Sequence, residues 1–185
     1  MYLSYGLCTM YKSNHRLLEM ICSLTLLIIL IPLLTGYVDR MTRKKRSAEA
    51  IFNLNRIADS AKSYYIASAE AQPNWAPYFP DSVESSPFFP ACQGGVPVAY
   101  DPQNYANTWQ NPTWVALQFN IDQPFYFQYG FISQGSGINA RFTARAQGDL
   151  NCDAIMSSYE ITGHVTPDQV VKTSLIWTNP ASEFQ

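Results

Sequence analysis

The chain has few of the residues and motifs on which most enzymes depend. It contains only two histidines, and it lacks the H-E-x-x-H, G-x-S-x-G and C-x-x-C motifs and any glycine-rich phosphate loop. His15 lies beside an apolar N-terminal run, and His164 follows a glycine in a predicted turn. Neither position is typical of a general base. The sequence therefore predicts a protein that is not an enzyme.

Basic residues are scarce in the second part of the chain. From residue 63 onward only Arg141, Arg145 and Lys172 are basic, against ten acidic residues. Binding of nucleic acid requires clustered lysine and arginine to meet the phosphates, so we expect no nucleic-acid partner. The same region is rich in Tyr, Phe, Trp, Asn, Gln and Pro, a composition that favours an exported, β-rich domain.

Charge is almost absent from residues 17–34, in which Glu19 is the single charged side chain. Eighteen helical residues span about 27 Å, close to the hydrocarbon thickness of a bilayer. A cleaved secretory signal is the alternative, because Lys12 and Arg16 precede the run. However, the sequence PLLTGYVDR at its end offers no small-residue cleavage site. We therefore predict a retained, single-pass transmembrane helix over residues 15–36.

A helical pattern continues beyond the apolar run to about residue 65. Apolar residues at three- and four-residue steps give this segment one stripe that can pack on a globular body. The stripe consists of Ile51, Leu54, Ile57 or Ala58, Ala61 and Tyr65. We therefore predict one long N-terminal helix whose first half spans the membrane and whose second half is amphipathic.

Strand-like segments follow in the second half of the chain, separated by turn sequences such as SQGSG and GHVTPD. They cover residues 114–119, 125–132, 140–146, 156–161 and 170–177. The Pro-rich stretch at 67–95 is predicted to be irregular. The expected fold class is therefore α+β, with the long N-terminal α-helix packed on a small antiparallel β-sheet of four or five strands.

Four parts of the chain follow from this pattern. Residues 1–14 form a leader, residues 15–36 the transmembrane helix, and residues 37–66 its amphipathic continuation. Residues 67–185 form a β-rich globular head that we expect to be exported. The length of this last part suits one domain with a single hydrophobic core.

Two of the four cysteines, Cys92 and Cys152, lie in the predicted head. If the head is exported to an oxidising compartment, they are the pair available for an internal disulfide. The alternative is that both remain unpaired as small, buried hydrophobic side chains. For an exported head we predict the disulfide.

One twelve-residue stretch, DLNCDAIMSSYE, has the spacing of a calcium-binding loop. Asp149, Asn151, Asp153 and Glu160 occupy its positions 1, 3, 5 and 12. Ala154 stands where such a loop requires glycine, and the flanking segments are strand-like rather than helical. The alternative is a hairpin turn rich in Asx residues. We favour the turn, so no cofactor is predicted and calcium is the weaker candidate.

These features resemble those of type IV pilins and pseudopilins. The sequence HRLLEM at residues 15–20 matches the start of the mature pilin helix and places the family's glutamate on Glu19. The same register places the family's helical S-E-A element on SAEA at residues 47–50. The head segments WVALQF, PFYFQYGF, AQGDLNCD and MSSYEI resemble pilin-like proteins common among deltaproteobacteria. The chain departs from the family at Asn14, where a glycine is usual.

The resemblance implies a sequence of membrane insertion, processing and assembly. Family members are inner-membrane precursors whose cytoplasmic leader is removed by a prepilin peptidase, which also methylates the new N-terminus. In this chain the cut would fall between Asn14 and His15. Glu19 would then neutralise the N-terminal amine of a neighbouring subunit, since an unpaired carboxylate in hydrocarbon costs about 2.5–3.5 kcal/mol on insertion scales. The alternative for Glu19 is a position at headgroup level, where the carboxylate reaches water.

The implied function is that of a structural subunit, major or minor, of a type IV pilus or a type II secretion-type filament. Its partners would be identical or related pilin subunits, the prepilin peptidase and the inner membrane, with the head extracytoplasmic. A membrane-anchored extracytoplasmic binding module that is neither processed nor polymerised is the alternative. The basic residues at 40–46 favour a cytoplasmic head by the positive-inside rule. The composition and motifs of the head favour export, which we predict.

Overall fold

The computed structural model describes residues 3–87 and 92–177. It begins with the helix α1, which runs without interruption over Leu3–Ala71. The chain forms two compact units, Met1–Thr42 and Arg43–Gln185, and α1 contributes residues to both.

In the first unit, α1 exposes an apolar surface that we call the apolar segment (residues 19–38). Its large apolar side chains are all more than half exposed: Met20, Ile21, Leu24, Leu26, Leu27, Ile28, Ile29, Leu30, Ile31, Leu33, Leu34, Tyr37 and Val38. By length and composition α1 can cross a membrane here, near the N-terminus of the chain. The prediction of a helix that can span a membrane is therefore confirmed as regards length and composition.

Polar side chains in the apolar segment bond to the helix itself. The hydroxyls of Ser23, Thr25 and Thr35 each donate to a main-chain carbonyl three residues earlier, at 2.9 to 3.0 Å. A bilayer interior supplies no water for such groups. This local bonding therefore suits a hydrocarbon environment.

In the second unit, α1 buries one face, and we call this part the packing segment (residues 43–71). The buried side chains recur at helical spacing and are each at most 3% exposed: Ala50, Leu54, Ile57, Ala58, Ala61 and Tyr65. This confirms the predicted stripe, except that Ala50 is fully buried while Ile51 packs at the margin of the core. The helix also continues beyond the predicted end at residue 66, to Ala71.

The described residues form seven strands, five of which make the main sheet. The strands are β1 (Val83–Ser86), β2 (Cys92–Gln93), β3 (Val96–Pro97), β4 (Gln128–Gln134), β5 (Arg141–Gly148), β6 (Ser157–Val165) and β7 (Val171–Trp177). The main sheet has the order β1-β4-β5-β6-β7 and is antiparallel throughout. The helix and the five-stranded antiparallel sheet confirm the predicted α+β fold, in a pilin-like layout.

Alternation of side chains along β5 and β6 places the core on one face of the sheet. Phe142, Ala144 and Ala146 on β5 are buried, as are Tyr159 and Ile161 on β6, while the residues between them are less buried. Side chains in a strand point to opposite faces in turn. The buried face and the stripe of the packing segment belong to one hydrophobic cluster.

The prediction that residues 114–119 form a strand is wrong. They lie in and just after a short helix, α2 (Pro112–Ala116), which follows a 3₁₀ helix over Pro102–Gln110. The Asn111 side chain accepts a hydrogen bond from the Thr113 amide at 2.9 Å, and Pro112 takes the first helical position. Asparagine caps and N-terminal prolines favour a helix start, and this local chemistry outweighs the β-like composition of WVALQF.

Two further differences concern the Pro-rich stretch and His164. Residues 67–95 are not wholly irregular, because β1 pairs with β4 and β2 begins at Cys92. His164 lies on β6, opposite Lys172 of β7, and not in a turn. The turn begins after Val165, so the glycine at 163 belongs to the strand.

Candidate functional site

The predicted processing site lies within α1. Asn14 and His15 are helical, but their side chains lie outside the described part of the structure. Glu19 is exposed on the helix surface, at the start of the apolar segment. All three residues belong to the first unit, so the proposed cleavage and assembly residues share one short stretch of helix.

The cysteine pair joins two parts of the head. Cys92 and Cys152 form a disulfide, with their Cα atoms 5.8 Å apart and a sequence separation of 60. The bond fastens the β2–β3 hairpin to the loop between β5 and β6, and it agrees with the predicted pairing. In the chain-entropy model, closing a loop of this length stabilises the fold by about 4 kcal/mol.

The calcium candidates lie in the β5–β6 loop and on β6. Asp149 accepts from the Ala154 amide at 2.9 Å, and Asp153 accepts from the Ile155 amide at 2.8 Å. Asn151 donates to Asp153 at 2.8 Å. These side chains therefore bond within the loop, as the Asx-turn interpretation predicts.

Glu160 does not join this group. It lies on β6 opposite Arg145 of β5, and the two side chains form an ion pair. Glu160 lies three residues beyond Ser157, where β6 begins. Three residues cover about 10 Å along a strand. Across the described residues, no group of three or more His, Cys, Asp or Glu side chains is placed to hold a metal ion.

The packing segment carries a partly buried polar cluster that the sequence did not mark as a site. Both oxygens of the Glu49 carboxylate lie within reach of the Tyr126 amide, which donates at 3.3 Å to Oε1 and at 3.2 Å to Oε2. The Tyr129 hydroxyl donates to Oε1 at 3.0 Å and accepts from Asn53 Nδ2 at 2.9 Å. Glu49 and Asn53 are one helical turn apart, so both reach Tyr129 of β4.

Two arginines of the packing segment flank this cluster. The Arg46 guanidinium lies over the ring of Tyr126, 4.3 Å from its centre. Arg56 lies over the ring of Phe119 at 5.3 Å and donates to Asn53 Oδ1 at 3.4 Å. Cation–π contacts of this kind contribute about 0.5–2 kcal/mol. We call Glu49, Asn53, Tyr126 and Tyr129, together with these two arginines, the Glu49 cluster.

Burial dominates the electrostatics of the cluster. It raises the pKa of Glu49 from 4.5 to about 7, against the opposing effects of the Tyr126 amide, the Tyr129 hydroxyl, the Phe127 amide and the charge of Arg46. Burial, followed by the charge of Glu49, also raises the pKa of Tyr129 well above its ordinary value of 10. Loss of hydration disfavours the charged form of either group.

The sequence does contain a trace of this cluster. Glu49 and Asn53 stand at a four-residue spacing beside Ala50 and Leu54 of the apolar stripe. Polar residues on the buried face of a helix require hydrogen-bond partners. The pattern could therefore have indicated a buried polar contact, although its partners lie more than 70 residues later in the chain.

The fold defines an α+β protein with a long N-terminal helix that is apolar in one part and packed on an antiparallel sheet in another, which is compatible with pilin-like architecture. Comparison of the chain with protein-family models, with curated proteins and with solved structures found no match.

Proposed function

We propose that this protein is a pilin-like structural subunit of a type IV pilus or a related secretion filament, and that it works through assembly rather than catalysis. The observation that carries the proposal is the continuous helix α1. It holds an exposed apolar segment in one unit and a packing segment in the other, where it lies on an antiparallel sheet.

The apolar segment requires a non-aqueous environment. Its consecutive Leu and Ile side chains at residues 26–31 are more than half exposed, and removal of apolar surface from water yields about 25 cal/mol per Å². Lipid can cover these side chains in a membrane-bound precursor, and helices of other subunits can cover them in a filament. A subunit that passes from one state to the other keeps its apolar surface out of water throughout.

Glu19 places a carboxylate at the start of the apolar segment. A carboxylate among apolar side chains is stabilised by an opposite charge. Cleavage between Asn14 and His15 would create an amine on His15, four residues before the glutamate of each subunit. The amine of one subunit and Glu19 of its neighbour would then form a pair that fixes their relative axial position.

The second unit suits an extracytoplasmic location. The Cys92–Cys152 disulfide is of a kind that persists in oxidising compartments such as the periplasm. An acidic head beyond the membrane, anchored through α1, is the precursor that the proposed pathway requires.

The decisive experiment is N-terminal analysis of the mature protein. The full chain would be produced in bacterial membranes with and without an active prepilin peptidase, and its intact mass and N-terminal sequence measured. We expect a chain that begins at a methylated His15 only when the peptidase is present. A known pilin in the same cells serves as the control for peptidase activity.

An intact leader, in cells that process the control pilin, would contradict the proposal and support a membrane-anchored binding module instead. Filament formation provides the second measurement, by electron microscopy of sheared cells. Glu19→Gln should abolish filaments, whereas Glu70→Gln, an exposed glutamate on the same helix, should leave them unchanged.

A further inference from the structure

The packing segment begins with the basic sequence RKKR, which we call the basic segment (residues 43–46). It lies wholly within the second unit. The side chains of Lys44 and Lys45 are exposed, whereas the Arg46 guanidinium lies over the Tyr126 ring. The two lysines are therefore open to a partner outside the chain.

The two lysines have no acidic partner among the described residues. No ion pair or hydrogen bond joins either side chain to another residue in the parts of the chain that the structure describes. By contrast, Lys62 farther along the same helix pairs with Asp59 at 3.0 Å. Because neighbouring like charges repel each other, an anionic partner would lower the electrostatic energy of the basic segment.

The basic segment follows the apolar segment closely. Lys44 stands six residues after Val38, the last residue of the apolar segment. Six residues cover about 9 Å at the rise of a helix, and even a fully extended chain of this length covers only about 20–22 Å. The headgroup region on each side of a bilayer is about 5–8 Å thick, and a lysine can extend its apolar stem toward it. With the apolar segment in hydrocarbon, the lysine ammonium groups therefore come within reach of lipid phosphates.

The rest of the head does not share this positive charge. From residue 63 onward it carries three basic residues against ten acidic ones. An anionic membrane surface attracts a basic segment beside a membrane helix and repels an acidic domain. Charge complementarity thus confines the favourable contact with anionic lipid to the start of the packing segment.

We propose that Lys44 and Lys45 bind the phosphates of anionic phospholipids in the leaflet where α1 leaves the hydrocarbon. The ammonium groups donate hydrogen bonds to the phosphate oxygens, and the negative surface potential strengthens the contact. The proposal requires the apolar segment to span a bilayer, but it requires neither processing nor polymerisation. It gives the basic segment a role on either side of the membrane, so this segment does not require a cytoplasmic head.

Electron spin resonance of the full chain in phosphatidylcholine vesicles tests the contact. A trace of spin-labelled phosphatidylglycerol or phosphatidylcholine reports the fraction of each lipid that the protein immobilises, and the ratio of the two association constants gives the selectivity. We expect about fivefold selectivity for phosphatidylglycerol in the wild type at about 0.1 M salt. At about 1 M salt the selectivity should fall toward one, because the screening length shortens from about 10 Å to about 3 Å.

Removal of the two charges should abolish most of this selectivity. In the double variant Lys44→Gln/Lys45→Gln we expect a selectivity of about twofold or less. The control Lys62→Gln/Lys172→Gln removes the same number of charges elsewhere in the second unit and should keep the wild-type value. Lys44→Arg/Lys45→Arg retains the charge and should keep it as well. Circular dichroism verifies that each variant is folded.

Equal selectivity in the wild type and in Lys44→Gln/Lys45→Gln would overturn the proposal, as would immobilised lipid without any selectivity. Absence of immobilised lipid would overturn both the proposal and the membrane anchoring on which it rests. Analytical ultracentrifugation in detergent distinguishes the other anionic partner, the acidic head of a second copy. Self-association that only the glutamine variant loses, in a chain without lipid selectivity, would assign the lysines to that partner instead and overturn the lipid contact.

Discussion

The two segments of α1 differ in the burial of their apolar side chains and in the hydrogen-bond partners of their polar side chains. In the apolar segment the polar hydroxyls bond to the helix's own carbonyls, and large apolar side chains such as Leu27 are exposed. In the packing segment one apolar face is buried, and the side chains of Glu49 and Tyr65 bond to residues more than 70 positions away. One helical backbone thus serves two different environments, and the side chains alone decide which.

The largest expected effect tests this division with one pair of leucines. Leu54 is fully buried, whereas Leu27 is 54% exposed. Leu54→Ala should lower the free energy of unfolding of the head by about 2–5 kcal/mol, because it leaves a cavity in the core. Leu27→Ala should leave that free energy unchanged. Tryptophan fluorescence during chemical unfolding of the full chain in detergent measures both variants, since Trp109 and Trp114 are buried in the head.

Removal of cysteines gives a second comparison of the two units, in their contribution to the stability of the head. Replacing both Cys92 and Cys152 by serine should lower the free energy of unfolding of the head by about 2–4 kcal/mol, because the unfolded chain gains freedom. Cys22, an exposed free cysteine on the apolar segment, is the matched control, and Cys22→Ser should have no effect. Urea unfolding monitored by circular dichroism distinguishes the variants. A double variant as stable as the wild type would show that the bond adds nothing.

For membrane insertion we expect the apolar segment, and not the packing segment, to be sensitive to substitution. Leu27→Arg should reduce insertion by about 2.5–3.5 kcal/mol on translocon-based scales. Ile66→Arg, at a position 56% exposed on the packing segment, should not reduce it. A glycosylation-site assay with microsomes reports the inserted fraction. Equal insertion of all three chains would mean that the apolar segment does not span the bilayer.

The smallest expected effect concerns one long-range hydrogen bond. The Tyr65 hydroxyl donates to the Gly137 carbonyl at 3.0 Å, and Tyr65→Phe should lower the free energy of unfolding by about 1 kcal/mol. Thr35→Val, which removes a hydroxyl that bonds locally to Pro32, should not change the unfolding of the head. Thermal unfolding of both variants is sufficient, and a greater loss for Thr35→Val would contradict the comparison.

Local sequence signals account for most of the fold that could be predicted. The buried stripe from Leu54 to Tyr65 follows from helical spacing, and β5, β6 and β7 follow from alternation and turn residues. WVALQF was misassigned because a short apolar run fits a strand or a buried helix equally well. The Asn111–Pro112 start decides the matter in the folded chain.

Long-range contacts account for the part that could not be predicted. Strand β1 has the sequence VESS, which carries no clear strand pattern, and it exists through its pairing with β4. The acceptor role of Glu49 requires Tyr126 and Tyr129 to be brought to it by the sheet. By contrast, the cysteine pair could be predicted because the head contains just two cysteines.

The disulfide also reports the compartment in which the head folded. A head that folds in a reducing compartment keeps Cys92 and Cys152 as thiols, whereas a translocated head consumes both in one bond. Alkylation of the denatured protein with a mass-tagged reagent would therefore count free thiols and report the side of the membrane on which each molecule folded. The basic residues at 40–46 favour a cytoplasmic head, and the composition of the head favours export. The oxidation state of this cysteine pair would distinguish the two orientations.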